Sequence, residues 1–421
     1  MRSPIQISAA CLSLLFASLA LAAQPVAAQE WTRFRGPNGT GVAHAPDLPL
    51  QWSLKDCRWR VALPGVGHSS PVILGERLFI TSGDEKDGRR VISCLHTSDG
   101  RVLWQREYPM PTYKKSENNS YASATPALDS KHVYVTWSTP EEYLVLALKQ
   151  SDGSQVWRQD LGPFDGEHGY GASPIVFQDL LILTNEQNGP SSVVALDTAT
   201  GRQRWKTPRR VEKAAYSTPC LVEMPGAATQ LIVTSWAHGV SSLDPLSGTS
   251  LWELPVFKYR VVGSPLAAEG LIFAGSGGGK SSKRFVAVRP ANPTDPNSKP
   301  EVVFEVPKGS PYVPTPVAHK GLLFLFGDQG VVKCVDAATG ADRWEERVGG
   351  DYFGSPIRID DRLYCISRQG ELVVLAAADK YELLARIDLE ERSSSTPAVA
   401  DGVLYLRTLS HVMAVGPKAK P

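Results

Sequence analysis

The stretch SPIVFQDLLILTNEQNGPSSVVALDTATGRQRW, residues 173–205, contains one copy of a unit that recurs along the chain. A Ser/Thr-Pro pair starts the unit, two alternating apolar runs follow, and a turn with Gly leads to a Trp four residues later. Successive pairs are 40 to 55 residues apart, close to the length of one four-stranded propeller blade. The prolines of these pairs are Pro71, Pro126, Pro174, Pro219, Pro265, Pro316, Pro356 and Pro397.

The Gly-to-Trp half of the unit is equally regular. Apolar and polar residues alternate with a period of two, which predicts four strands, A to D, in each unit and an all-β fold. We expect the repeated Trp to pack on the neighbouring blade, because one four-stranded sheet cannot bury both of its faces alone. The copies are Gly100/Trp104, Gly153/Trp157, Gly201/Trp205, Gly248/Trp252 and Gly340/Trp344.

The two chain ends predict how the ring closes. The last unit, residues 395–415, has strands A, B and C but stops before strand D, whereas residues 57–65 form an unassigned strand D. Trp59 in that strand lies twelve residues before Pro71, an interval that recurs between Trp344 and Pro356. We therefore predict an eight-bladed β-propeller of four-stranded antiparallel blades, closed by pairing of the N-terminal strand with the C-terminal blade, which removes open sheet edges.

The remaining segments and the composition limit the function classes. Residues 1–28 read as a signal peptide cleaved near Ala28, so we expect a mature chain that is exported, without a membrane span. Residues 29–54 are then an N-terminal extension laid on the propeller surface, 55–416 the propeller and 417–421 a tail. With 44 basic and 43 acidic residues and a net charge of +1, the chain lacks the basic stripe of a nucleic-acid binder. We expect a monomer.

The cysteines give no sign of a metal or redox site. After removal of Cys11 with the signal peptide, five remain, and none belongs to a CxxC or a vicinal pair. Zinc and haem attachment therefore have no support, and we predict no metal site and no essential disulfide. The five are Cys57, Cys94, Cys220, Cys334 and Cys365.

The copies ALDTATGRQRW (195–205) and VDAATGADRW (335–344), with the Ser/Thr-Pro strand starts, resemble the PQQ-like repeats of eight-bladed quinoprotein-type propellers. The resemblance extends over residues 55–416 and is similar overall to the family of the outer-membrane protein assembly factor BamB. It implies the fold. It leaves function open, because the fold carries both dehydrogenases and scaffolds.

One face of the ring is the better candidate for function. In a four-stranded meander the D–A and B–C connections lie on one face, and two D–A connections are long here. Trp104 is 22 residues before Pro126 and Trp157 is 17 before Pro174, against 12 to 14 in most blades. Polar, aromatic loops of variable length on a rigid scaffold are typical of functional surfaces.

Aromatic and polar residues stand three to six positions before the proline that precedes each strand A, at the predicted mouth of the channel. They are candidates for a platform that binds a ligand or peptide, or they fill a wide channel by packing between blades. Glu167 and His168, in an inserted loop, are interpreted as solvated, not as an acid/base pair. The candidates are His68, Tyr121, Tyr170, Tyr216, Tyr259, Tyr312, Tyr352 and Arg392.

Two functions remain open. The first is an exported, non-catalytic scaffold without a cofactor, which binds envelope proteins or peptides and resembles BamB. The alternative is a quinoprotein oxidoreductase of alcohols or sugars, for which the resemblance implies PQQ and Ca²⁺. That chemistry needs oxygen ligands for calcium and a carboxylate base, and the vicinal cysteine pair of many family dehydrogenases is absent. We assign no catalytic residue.

Overall fold

Eight antiparallel blades of four strands each, one of them extended by a parallel fifth strand, surround a central axis in the computed structural model, which describes residues 30–210, 212–278 and 283–417. Each sheet is a meander whose first strand is innermost, and inner strands contact one another between blades 8 and 1, 1 and 2, 2 and 3, and 4 and 5. The predicted all-β, eight-bladed propeller is confirmed. The predicted signal peptide and the last four residues of the predicted tail lie outside the described residues.

Four short elements precede the first complete blade. They are the 3-10 helix η1 (Pro37–Gly39), β1 (Val42–Ala43), the 3-10 helix η2 (Leu54–Asp56) and β2 (Trp59–Ala62).

The first four blades follow in chain order. Blade 1 has β3 (Val72–Leu74), β4 (Arg77–Gly83), β5 (Arg90–His96) and β6 (Val102–Tyr108). Blade 2 has β7 (Ala127–Leu128), β8 (His132–Ser138), β9 (Tyr143–Lys149) and β10 (Gln155–Asp160). Blade 3 has β11 (Ile175–Phe177), β12 (Leu180–Asn185), β13 (Ser191–Asp197) and β14 (Gln203–Arg209). Blade 4 has β15 (Cys220–Val222), β16 (Gln230–Ser235), β17 (Gly239–Leu243) and β18 (Ser250–Leu254).

The second half of the ring repeats the pattern. Blade 5 has β19 (Leu266–Ala268), β20 (Leu271–Ser276), β21 (Arg284–Arg289) and β22 (Glu301–Val306). Blade 6 has β23 (Val317–His319), β24 (Leu322–Phe326), β25 (Val331–Asp336) and β26 (Asp342–Arg347). Blade 7 has β27 (Ile357–Ile359), β28 (Arg362–Ile366), β29 (Glu371–Ala376) and β30 (Leu383–Asp388). Blade 8 has β31 (Ala398–Ala400), β32 (Val403–Arg407) and β33 (His411–Val415), with β2 as its outermost strand.

The ring closes as the sequence predicts. Strand β2 pairs antiparallel with β33, with Trp59 opposite Ala414 and Ala62 opposite His411. The N-terminal strand thereby supplies the fourth strand of the blade that ends the chain, so unfolding of either end exposes an edge in blade 8.

The regular spacing of Gly and Trp in the units has a direct cause in packing. The Trp104 indole donates from Nε1 to the Gln150 carbonyl oxygen at 2.9 Å, in the C–D turn of the next blade. Gly153 of that turn has φ 70°, and a Cβ there would lie 2.5 Å from the Trp104 ring. Only glycine fits both the backbone angle and the contact. The predicted packing of Trp on the neighbouring blade is confirmed, and Phe304 takes the same place beneath Gly340.

The Ser and Thr of the Ser/Thr-Pro pairs form a circular hydrogen-bonded belt around the channel. At seven of the eight blade junctions, the belt residue of one blade donates its backbone N–H to the hydroxyl oxygen of the next, at 2.9 to 3.1 Å. At the junction of blades 8 and 1, the buried Arg407 instead donates to the Ser69 carbonyl and hydroxyl oxygens. The hydroxyl belt consists of Ser70, Thr125, Ser173, Thr218, Ser264, Thr315, Ser355 and Thr396.

The N-terminal extension corrects one expectation, because residues 31–43 lie inside the ring and not on its surface. Trp31 is fully buried and bridges to Ile73 of β3, while β1 pairs in parallel with β27 on the channel side of blade 7. Arg35 is also fully buried, and its five N–H groups donate to five carbonyl oxygens, among them those of Thr315 and Pro356. We call residues 31–43 the plug. Its polar sequence gave no indication that it would be buried.

Substituting Gly153 by Ala tests the Gly–Trp contact. We expect urea denaturation to show that the free energy of unfolding falls by about 2–4 kcal/mol, because Ala is strained at this φ and clashes with Trp104. The control is Gly270→Ala, with φ 75° and no atom within 4 Å of the new Cβ, which should lose only about 1 kcal/mol. Equal losses in the two variants would show that the contact contributes nothing.

Substituting Thr125 by Val tests the belt, since it removes the oxygen that accepts the Ser70 amide at 2.9 Å without changing the side-chain shape. Both residues are buried, and a buried amide without a partner costs about 1–3 kcal/mol. The variant Thr125→Ser keeps the oxygen and should lose less in the same chemical denaturation experiment. A Val variant as stable as the wild type would contradict this role.

Candidate functional site

A cavity of about 320 Å³ lies at the channel mouth on the face of the D–A connections. Phe34 of the plug lines it, and so do all members of the hydroxyl belt except Ser70. Because the plug fills the channel beneath, the cavity is a cup that is open only on the D–A side. Its other lining residues are His68, Ser116, Asn118, Asn119, Ser123, His168, Gly171, Tyr216, Val262, Tyr312, Val313, Phe353 and Ser394.

The two long D–A connections meet above this cup. The Asn119 side-chain amide, in the first insertion, donates to the His168 carbonyl oxygen at 2.7 Å and to that of Tyr170 at 3.1 Å in the second. The Tyr216 hydroxyl accepts from the His168 backbone N–H at 3.2 Å. The insertions therefore form one hydrogen-bonded rim and not two independent loops.

Two arginines from distant blades join this rim. The Arg368 guanidinium, in the B–C turn of blade 7, donates to Asn118 Oδ1 at 2.7 Å and stacks on the Phe353 ring. Arg260, between blades 4 and 5, contacts the Glu167 carboxylate and lies 2.6 Å from His168 Nε2. Sequence analysis missed both arginines, because they occupy no repeated position and their partners are distant in sequence.

Three of the eight predicted site residues line the cup: His68, Tyr216 and Tyr312. Tyr259 and Arg392 are exposed near it, and Tyr259 contacts the Trp236 ring of the B–C turn in blade 4. These five are accessible to a ligand or a partner.

The other three tyrosines are buried in the walls. The Tyr121 ring lies under the Arg90 guanidinium, the Tyr170 ring packs on Tyr143, and Tyr352 packs edge-on against Phe326. The eight positions therefore divide in the structure, since some line or lie near the cup and others pack within or between blades; ligand binding at the first group stays a prediction.

The surroundings of the cup are positively charged. Burial, and then the charges of Arg407, Lys115, Arg392 and Arg368, lower the pKa of His68 to about 3, so its imidazole is neutral at neutral pH. Burial lowers the pKa of Arg33 to about 10 and that of Arg35 to about 9, and both therefore remain charged beneath the cup. Burial raises the pKa of Tyr216 to about 12.

The donor set of the cup does not match calcium. Among the described residues that line it, none is Asp or Glu, whereas protein calcium sites are built largely from carboxylate oxygens. Glu167, at the rim, is paired with Arg260, so its charge is already compensated. In the described ranges, no group of three His, Cys, Asp or Glu residues could hold a metal ion. The five described cysteines are free.

No helix within the described ranges is long and apolar enough to cross a membrane. Among curated proteins, the BamB outer membrane protein assembly factor of Escherichia coli is 22% identical over 292 residues, 68% of this chain and 72% of that protein. A quinohemoprotein alcohol dehydrogenase of Pseudomonas putida is 29% identical over 190 residues. That match covers 37% of this chain and only 26% of the dehydrogenase.

Solved structures of both kinds share the fold. BamB from Moraxella catarrhalis superposes with a TM-score of 0.61 at 13% identity, covering 86% of this chain and 97% of that one. The quinohemoprotein alcohol dehydrogenase from Comamonas testosteroni superposes with a TM-score of 0.63 at 14% identity, and the match covers 93% of this chain and 81% of that one. At these identities the likeness shows the fold alone.

The family comparison is more specific. Residues 88–325 and 328–417, well over half of the chain, match the family described as outer membrane protein assembly factor BamB. The matched residues contain the Trp–Gly contacts of blades 1 to 3 with their following blades, and seven of the eight residues of the hydroxyl belt. The chain therefore belongs to the BamB outer membrane protein assembly factor family.

Proposed function

We propose that this chain is an exported, non-catalytic scaffold that binds a protein or peptide of the cell envelope through the D–A face. The observation that carries the proposal is the rim of the cup, where inserted loops from two junctions are joined to arginines from distant blades. Such a rim offers aromatic and cationic side chains on a rigid support, which suits recognition.

Family membership supports the same proposal. The relatives that match over the larger share of their own length are assembly factors of outer membrane proteins, whereas the dehydrogenase match covers about a quarter of that enzyme. Export rests on the predicted signal peptide at residues 1–28.

A second candidate is the PQQ- and Ca²⁺-dependent oxidoreductase, which the shared fold with the Comamonas dehydrogenase keeps open. This chemistry would need oxygen ligands for calcium, usually carboxylates, and a carboxylate base. The described lining of the cup contains no carboxylate, and His68 is surrounded by cations. The scaffold is therefore the better supported of the two.

Photo-cross-linking in living cells tests the scaffold. A benzophenone amino acid replaces Tyr259, which is 41% exposed beside the cup, or Leu246, which is 55% exposed in a C–D turn on the opposite face. We expect discrete adducts with envelope proteins from position 259 and few from position 246. The exposed aromatic position should tolerate the substitution because the probe is itself aromatic.

Two results would contradict the scaffold. One is the same adduct pattern from both faces, and the other is dye reduction with an alcohol or sugar after the purified chain is supplied with PQQ and Ca²⁺. The second result would establish the oxidoreductase in its place.

A further inference from the structure

Each of the belt hydroxyls that line the cup keeps an unused O–H donor. All seven belong to residues that are at most 9% exposed, and their oxygens accept an amide N–H from the preceding blade. Within the described ranges, none of these hydroxyls donates its own hydrogen to a protein group. Since the oxygens already accept a bond, the belt presents O–H donors to the cavity.

Two buried guanidiniums lie directly beneath these donors. Arg33 donates to the carbonyl oxygen of Pro219 and Arg35 to those of Thr315 and Pro316, at or next to belt positions. No carboxylate in the described part of the chain forms an ion pair with either guanidinium. Buried charges are normally paired, so the uncompensated positive charge favours an anion above it.

The other polar groups of the cup agree with an anion and disfavour a cation. No described lining residue carries a carboxylate, and in the described ranges the Arg368 guanidinium at the rim contacts the neutral Asn118 amide and the Phe353 ring and forms no ion pair. A cation would meet only neutral hydroxyl oxygens, each with one lone pair already used, and guanidiniums below them. An oxyanion would accept from the free O–H groups and lie close to positive charge.

We propose that the hydroxyl belt is an oxyanion-binding site, which takes the carboxylate or phosphate group of a small molecule or of a chain end. A peptide ligand would have to enter by its terminus. The plug closes the cup from below, so a continuous polypeptide cannot pass through a cavity of about 320 Å³ that opens on one side. The chain-end source rests on the proposed function, since it makes the oxyanion part of a bound peptide.

The test is titration calorimetry of the full mature chain at constant ionic strength in chloride. The probes are inorganic phosphate, acetate, N-acetyl-triglycine and the C-terminal amide of N-acetyl-triglycine. We expect saturable binding of the oxyanions and none of the amide. Phosphate binding more tightly than the peptide acid identifies a free anion as the source, and the reverse order identifies a chain end.

Two variants locate the site. Ser173→Ala removes one donor and should weaken binding by about tenfold, the value for one hydrogen bond to a charged group, but it also removes a belt link. Phe34→Trp fills part of the cup from its floor while leaving every belt residue in place, and it should abolish binding. Leu246→Trp on the opposite face should leave binding unchanged.

The proposal is overturned if the wild-type chain binds none of the oxyanions saturably, or if Phe34→Trp binds them as tightly as the wild type. It is equally overturned if the amide binds as tightly as the acid. These failures are separable from failure of the scaffold function, because calorimetry uses no protein partner and cross-linking at position 259 uses no added anion.

Discussion

The eight blades are joined at one level around the channel by amide-to-hydroxyl hydrogen bonds, and the rest of the architecture depends on these bonds. Each requires Ser or Thr directly before the Pro that starts strand A. The regular spacing of Ser/Thr-Pro pairs in the sequence thus has a geometrical cause, since at seven of the eight junctions a blade presents the same oxygen to its neighbour. The Trp–Gly contacts repeat the same blade-to-blade connection further from the axis.

The plug depends on this belt as well. The belt fixes where each strand A begins, and carbonyl oxygens next to it face the channel. Arg33 donates to that of Pro219, and Arg35 donates to those of Thr315, Pro316 and Pro356. The guanidiniums replace water that an open channel would contain, and they close it below the cup. A ring designed only for stability would not need uncompensated cations at its centre, and we relate them to the oxyanion site.

Much of the fold could be predicted from the sequence, because repeated residues report repeated contacts. Trp104, Gly153 and Pro126 each recur at equivalent positions, so blade number, strand order and closure through Trp59 followed. The site was harder to predict from the sequence. Its face was indicated by the two long D–A connections, but Arg260 and Arg368 occur once each and pair with residues distant in the chain. Nothing in the polar plug sequence indicates that it lies inside the ring, because its burial depends on carbonyl oxygens contributed by blades 4, 6 and 7.

Amide hydrogen exchange measured residue by residue, by NMR of the deuterated chain, tests the role of the belt most directly. If the belt holds the ring together, the amides of Ser70, Thr125 and their five linked equivalents should exchange only through global unfolding. Their free energies of opening should then be equal to one another. The Thr396 amide, which has no bond to Ser70 at the junction of blades 8 and 1 in the described structure, should exchange faster. Belt amides that open individually, or that exchange as fast as Thr396, would contradict this role.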